Sequence, residues 1–308
     1  MPATRILTEE NIFVMTEHRS AAQDIRPLKI AILNLMPTKE TTETQLLRLI
    51  GNTPLQVEVT LLRTESYTGV HTDPTHLDAF YRTFSAVREE YFDGVIITGA
   101  PVELLDYEDV RYWEELRHVM AWADARAFST MYICWAAQAG LFYHYGIHKR
   151  VLPEKMFGVF SHHVLQREHR LMRGFDEVFD MPVSRHTALC EEEIDACADL
   201  QTLAVSEEAG IGMLCSRDGR RVFVTGHSEY NADTLAREYQ RDLAKGLHPG
   251  MPKHYFPQDD PACTPQVHWR AHAHLLFANW LNYFVYQETP YDLHELSRRE
   301  AQDEGEKP

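Results

Sequence analysis

Residues 28–36 form an unbroken apolar run that stops at Pro37, the pattern of a strand covered on both faces. Residues 41–51 then place apolar positions at helical spacing, with Thr at the start and Gly51 at the end. Residues 55–63 alternate apolar and polar and predict a strand, and residues 75–89 predict a helix. Residues 93–98 predict a second buried strand, broken by Gly99-Ala100-Pro101. An amphipathic helix follows over 109–124, then a short apolar strand over 129–134 and a helix over 136–145 that starts almost at once.

Strand and helix thus alternate about four times, which predicts an α/β fold with a doubly wound, mostly parallel sheet and helical elaborations. Beyond residue 150 the pattern weakens. Residues 150–200 read as irregular, His- and Pro-bearing stretches. Residues 201–225 read as short strands with a turn at Asp218-Gly219, and the last of them, 222–225, ends at Gly226. Charged helix 232–245 and aromatic-rich helix 270–286 complete the order. No linker or internal repeat divides the chain. We expect one domain over 1–308, with an N-terminal extension (1–27), a catalytic core (28–297) and a polar tail (298–308).

Ligands of such sheets bind beyond the carboxyl ends of the strands. Three segments fall there: residues 36–39, 98–103 and 134–138. In the last, Cys134 ends a strand immediately before a helix, the setting of a nucleophile elbow. A helix N-terminus favours a thiolate, and its first amide, that of Trp135, can donate to an oxyanion. A buried structural cysteine at a strand end accounts equally well for Cys134 taken alone. His227 and Glu229 follow the strand at 222–225; at positions i and i+2 of extended backbone they point the same way, so Glu229 can orient the imidazole as a general base. Taken alone, that pair reads as an ordinary strand end.

Composition narrows the partners. The chain has 308 residues and a formal net charge of −16, which disfavours nucleic acid and anionic membranes. No segment reads as a signal peptide or transmembrane helix, and the five cysteines fit no zinc knuckle or CxxC pair. A reduced, cytoplasmic compartment is expected. The histidines at 162, 163 and 169 and at 268, 272 and 274 lack a ligand spacing, so no metal site is expected. No Gly-rich nucleotide motif occurs.

Two blocks, Ile133-Cys134-Trp135-Ala136-Ala137-Gln138-Ala139-Gly140 and Gly226-His227-Ser228-Glu229-Tyr230, resemble the class I glutamine-amidotransferase-like fold, which is flavodoxin-like. More closely, the chain from Ile6 to Tyr291 resembles the homoserine O-acyltransferases of the homoserine O-succinyltransferase type. The likeness includes Leu33-Asn34-Leu35-Met36-Pro37-Thr38-Lys39, Thr98-Gly99-Ala100-Pro101, Ser184-Arg185-His186-Thr187 and Gln287-Glu288-Thr289-Pro290-Tyr291.

The resemblance implies that Cys134 is acylated by an acyl-CoA and that homoserine then takes the acyl group on its hydroxyl. It implies His227 as general base, Glu229 as its orienter, Trp135 and Lys39 at the oxyanion, and Lys155, Ser184 and Arg241 as substrate contacts. At Glu103 the resemblance associates Glu with acetyl-CoA and Gly with succinyl-CoA. Physically, Glu103 would repel the carboxylate of a succinyl chain. Acetyl-CoA as co-substrate, no bound cofactor, L-homoserine as acceptor, a homodimer and a role in methionine biosynthesis are the resulting expectations. Use of succinyl-CoA, a glutamine amidotransferase or peptidase on the same fold, and a non-catalytic binding protein are the alternatives. Two positions depart from the pattern: Ala136 stands where Gly is usual, and Ser228 where Pro is frequent. If position 136 needs a positive φ, the elbow is reshaped.

Overall fold

The computed structural model describes residues 26–67 and 73–296. The N-terminal segment 1–25 and the predicted polar tail 298–308 lie outside the described residues. Ten strands form one sheet: β1 Leu28–Leu33, β2 Val57–Arg63, β3 Tyr81–Thr83, β4 Phe92–Ile97, β5 Ala127–Ile133, β6 Lys149–Val164, β7 Val178–Leu189, β8 Leu200–Ser206, β9 Gly210–Ser216 and β10 Arg221–Val224. Their order is β3-β2-β1-β4-β5-β10-β9-β8-β6-β7. The run from β3 to β10 is parallel, and the run from β10 to β7 is antiparallel.

The apolar runs become the central strands because both faces are covered. In β4 all six residues are buried. Its Val95 and Ile97 join one core with helices α4 (Trp113–Arg126) and α5 (Trp135–Tyr145), while Ile96 joins the opposite core with α1 (Lys39–Ile50) and α8 (Arg270–Asn279). In α4, Leu116, Val119, Met120 and Ala123 are buried at the three- and four-residue spacing of one helix face. Residues 280–286, part of the predicted long helix, continue α8 as a π-helix, with Trp280, Leu281, Phe284 and Val285 buried.

Two expectations need correction. Residues 75–89 do not form one helix. Short helices α2 (Pro74–Phe80) and α3 (Phe84–Val87) flank β3, which pairs with the edge of β2. The Tyr81 hydroxyl donates to the Glu43 carboxylate and accepts from Asn34 Nδ2 at 2.9 Å, so tertiary contacts override local helical spacing there. Residues 150–200 are not irregular: β6 and β7 are the longest strands, 16 and 12 residues, and pair antiparallel. Helix α6 (Glu191–Ala196) follows them. β6 alternates poorly because its first half is largely exposed, and its register shifts between Val151 and Met156, where Pro153 cannot donate to the ladder.

Candidate active site

β1, β4, β5 and β10 are neighbours in the parallel half, so the segments that follow them gather at one edge. Cys134 lies between β5 and α5 with φ 54° and ψ −116°, a conformation rare for a residue with a Cβ. Such strain costs about 1–3 kcal/mol and persists only where its surroundings hold it. The hold is visible: the Cys134 amide donates to Val224 O at 2.7 Å, and its carbonyl accepts from Ala137 N at 3.0 Å. Ala136 sits inside α5 and is not among the residues with positive φ, so the methyl group there does not reshape the elbow.

Gly226 brings the next segment close. A Cβ there would lie 2.7 Å from Pro182 O, so only glycine lets this loop lie against β7. The His227 amide then donates to Pro182 O at 2.8 Å. His227 Nδ1 and Glu229 Oε1 are 2.7 Å apart, and both side chains are buried. The Cys134 sulfur lies close enough to influence the imidazole. Burial opposes a charge on His227, but the Cys134 sulfur and the Glu229 carboxylate outweigh it and hold the imidazole pKa well above its usual value. The Tyr230 ring stacks on the imidazole, with centroids 4.1 Å apart and an interplanar angle of 12°.

The structure brings Lys155, Ser184 and Arg241 together, and the group that joins them is Glu238, on α7 (Thr234–Ala244). Glu238 Oε1 accepts from Lys155 Nζ at 2.6 Å and from Ser184 Oγ at 2.9 Å, and Arg241 Nη2 lies 3.6 Å away. The Arg241 fork is turned onto Asp242 at 2.8 Å. Glu103 lies within electrostatic reach of both Lys155 and His227. Its Oε1 accepts from the His186 amide at 3.0 Å. Burial raises its pKa, and the His186 amide, Lys155 and His227 oppose that rise.

Lys39 opens α1, a few residues beyond the end of β1. Its ammonium is buried and donates to the carbonyl oxygens of Asn34 and Met36. Burial lowers its pKa to about 8 despite nearby Glu43.

The single-residue readings did not find Glu238, Tyr230 or Arg185. The Glu238 signal was faint: a carboxylate three residues before Arg241 on a charged helix. Arg185 lies in a quoted block, yet only the fold shows it buried, with Nη1 on Thr225 O at 3.4 Å, Nη2 on Ala209 O and Nε without a partner. Among the described residues no group of three or more His, Cys, Asp or Glu side chains is placed to hold a metal ion, and no helix is long and apolar enough to cross a membrane.

A strained cysteine between strand and helix, met by a strand-end His–Glu pair across a parallel sheet, defines an enzyme of the class I glutamine amidotransferase-like fold. Two solved structures share that fold: a glutamine amidotransferase from Thermotoga maritima (TM-score 0.55, 10% identity, 85% of this chain and 100% of that one) and another from Methylobacillus flagellatus (TM-score 0.53, 14% identity, 87% and 99%). The chain itself belongs to the homoserine O-succinyltransferase family of acyltransferases, whose model matches residues 1–291. Relatives named homoserine O-acetyltransferase are similar over nearly the full length. That of Acetivibrio thermocellus is 58% identical, covering 96% of this chain and 97% of its own. That of Brevibacillus brevis is 56% identical, with 97% of each covered.

Proposed function

We propose that this chain transfers an acetyl group from acetyl-CoA to the hydroxyl of L-homoserine through a thioester on Cys134, giving O-acetyl-L-homoserine for methionine biosynthesis. The observation that carries the reading is the buried His227–Glu229 pair, 2.7 Å apart, with the Cys134 sulfur and the Glu229 carboxylate together raising the imidazole pKa. Family membership and the names of the relatives supply the acceptor and the cargo.

In the first half-reaction the Cys134 sulfur attacks the thioester carbonyl. The Trp135 amide, at the start of α5, and the Lys39 ammonium are the donors assigned to the oxyanion. The bond to the CoA sulfur breaks, and protonated His227 gives its proton to the departing thiolate. Free CoA leaves, and Cys134 holds the acetyl group. In the second half-reaction neutral His227 takes the homoserine hydroxyl proton as that oxygen attacks the Cys134 thioester. The ester forms, the carbon–sulfur bond breaks, and the Cys134 thiolate and imidazolium are restored. A His227 that holds its proton strongly suits the first step, and Glu229 stabilises the imidazolium formed in the second.

The cluster around Glu238 suits the acceptor. Arg241 offers a fork for the homoserine carboxylate, and Glu238 a carboxylate for its ammonium, with Lys155 and Ser184 holding Glu238 in place. Glu103 favours acetyl over succinyl, because a second carboxylate beside it would be repelled. A cytoplasmic enzyme that works as a homodimer, with no resident cofactor and with small molecules rather than nucleic acid or membrane as partners, completes the reading.

The test is mass spectrometry after incubation with acetyl-CoA alone. Cys134 should gain one acetyl group, and L-homoserine should remove it and yield O-acetylhomoserine. Turnover by a protein that stays unmodified, or turnover surviving Cys134→Ala, would overturn the mechanism. Release of ammonia from glutamine at a comparable rate would favour the amidotransferase alternative.

A further inference from the structure

A cavity of about 300 Å³ opens where the segments after β1, β2 and β4 meet. Its walls are largely apolar, from Leu35, Met36, Pro101, Val102, Leu105 and Val110. Two cations also line it. Lys39 is the buried one. Arg111 is exposed at the mouth and has no carboxylate partner among the described residues. The cavity and Cys134 share the loop after β4: Gly99 packs on the cysteine, and Pro101 and Val102 line the cavity. Pro101 is two residues past Gly99, so the wall begins within about 12 Å of the elbow.

This cavity does not suit the acceptor. Homoserine carries two charges, and apolar walls would desolvate both without paying them back in hydrogen bonds. The acceptor has the Glu238 cluster instead. The volume is at the low end for small-molecule pockets, roughly 300–1,000 Å³. It suits one thin arm rather than a whole dinucleotide-sized ligand. An acyl-CoA has such an arm: a long, mostly uncharged pantetheine chain ending in the thioester, with phosphates at the other end. In a chain of net charge −16, phosphates need a local cation, and Arg111 stands unpaired where the arm would emerge.

Resting on the acyl-transfer reading above, we infer that this cavity is the donor channel: Val102 and Leu105 flank the pantetheine arm, Lys39 meets its thioester end, and Arg111 meets the CoA phosphates outside. Donor and acceptor then approach Cys134 from different sides, and a ping-pong exchange needs no shared binding surface.

Three variants and two donors test this. Val102→Trp fills the cavity from a half-buried wall; Leu105→Trp does so from a more exposed lip and is less able to disturb the fold. Arg111→Glu reverses the charge at the mouth. The readout is the rate of Cys134 acetylation with acetyl-CoA and with S-acetylpantetheine, which lacks the nucleotide phosphates. Either Trp variant should slow both donors. Arg111→Glu should raise the half-saturating acetyl-CoA concentration about tenfold and leave that for S-acetylpantetheine unchanged. The homoserine concentration that half-saturates deacylation should stay at the wild-type value in all three. Both Trp variants acetylating at the wild-type rate, or Arg111→Glu weakening both donors equally, would overturn the channel while leaving Cys134 chemistry intact. A wild-type protein that acetyl-CoA does not acetylate would remove the acyl-transfer reading and the channel together.

Discussion

Gly99 leaves no room for a side chain against Cys134: a Cβ built on it would stand 3.1 Å from the cysteine Cβ and 3.6 Å from the Trp135 amide nitrogen. The contact is tighter than ordinary packing and falls on a residue already held at positive φ. Gly99→Ala should therefore move the nucleophile by a few tenths of an ångström rather than unfold the protein. Small displacements at a reacting atom cost roughly 10-fold to 100-fold in rate. Single-turnover acetylation of Cys134 should fall by that order, while the thermal midpoint stays within a few degrees of wild type. Wild-type acetylation by the alanine variant would show that the contact is not tight.

Glu103 lends itself to a donor competition. Its buried carboxylate is tied to the His186 amide and lies within electrostatic reach of His227. Removing it with Glu103→Gly should relieve repulsion of a succinyl carboxylate by a few kcal/mol, on the order of a hundredfold in preference. The ratio of kcat/KM for succinyl-CoA over acetyl-CoA is the measurement. An unchanged ratio would sink the assignment of cargo to this residue.

Arg185 is a buried cation with no carboxylate within ion-pair distance among the described residues; its hydrogen bonds go to the carbonyl oxygens of Thr225 and Ala209. Burial lowers its pKa, and the charges that offset this belong to Cys134 and Glu103. Arg185 thus acts as a positioning residue, bracing the strand end that carries His227 and lending positive potential to the sulfur. Arg185→Met should slow alkylation of Cys134 by iodoacetamide several-fold at neutral pH and move its pH profile upward, since an anionic sulfur loses support. Arg185→Lys should restore part of both. A purely structural role would lower the melting temperature and leave the pH profile in place.

His162 predicts an acid weakness. It is fully buried on β6, its Nδ1 2.9 Å from Phe160 O and its Nε2 without a partner. Burial lowers its pKa from 6.5 to about 4, so the unfolded chain binds the extra proton first as pH falls. Stability contributed by neutral His162 is therefore intact above pH 6.5 and drains away between 6.5 and about 4. From pH 7 to pH 5 the loss is about 2 kcal/mol. Melts of wild type and His162→Gln over this range should show a shallower acid limb in the variant. Parallel curves would show that other groups carry the acid sensitivity.

The parallel half of the sheet was legible because apolar runs such as 93–98 tolerate only one environment, covered on both faces. Cys134 was legible because it stands at a strand end; His227 and Glu229 were paired in the reading as extended neighbours, and they do meet, but across a turn at Ser228-Glu229 with the Tyr230 amide on His227 O at 3.2 Å. The antiparallel half was not. β6 is half exposed, and in the second half of β7 the buried positions are held by polar Arg185 and Thr187, so the apolar alternation fades after Val183; their pairing is a contact between distant segments. The same reason hid Glu238 and Arg185, whose surroundings exist only once β7 lies beside β6 and α7 packs across them. The break of 75–89 at β3 was hidden for a related cause, since it follows from Tyr81 meeting Glu43 and Asn34 on other elements.

β10 is the seam of the sheet, parallel to β5 on one side and antiparallel to β9 on the other. Cys134 and Glu103 hang from the parallel side, the Glu238 cluster from the antiparallel side, and His227 from the seam itself. On the proposed reading the donor side draws on residues up to 112 and the acceptor side on residues after 154, and the hydrogen bond from the His186 amide to Glu103 ties the two across the sheet. The seam strand thus carries the base that both half-reactions of the proposed exchange would use, so a change of cargo and a change of acceptor would both be felt at His227.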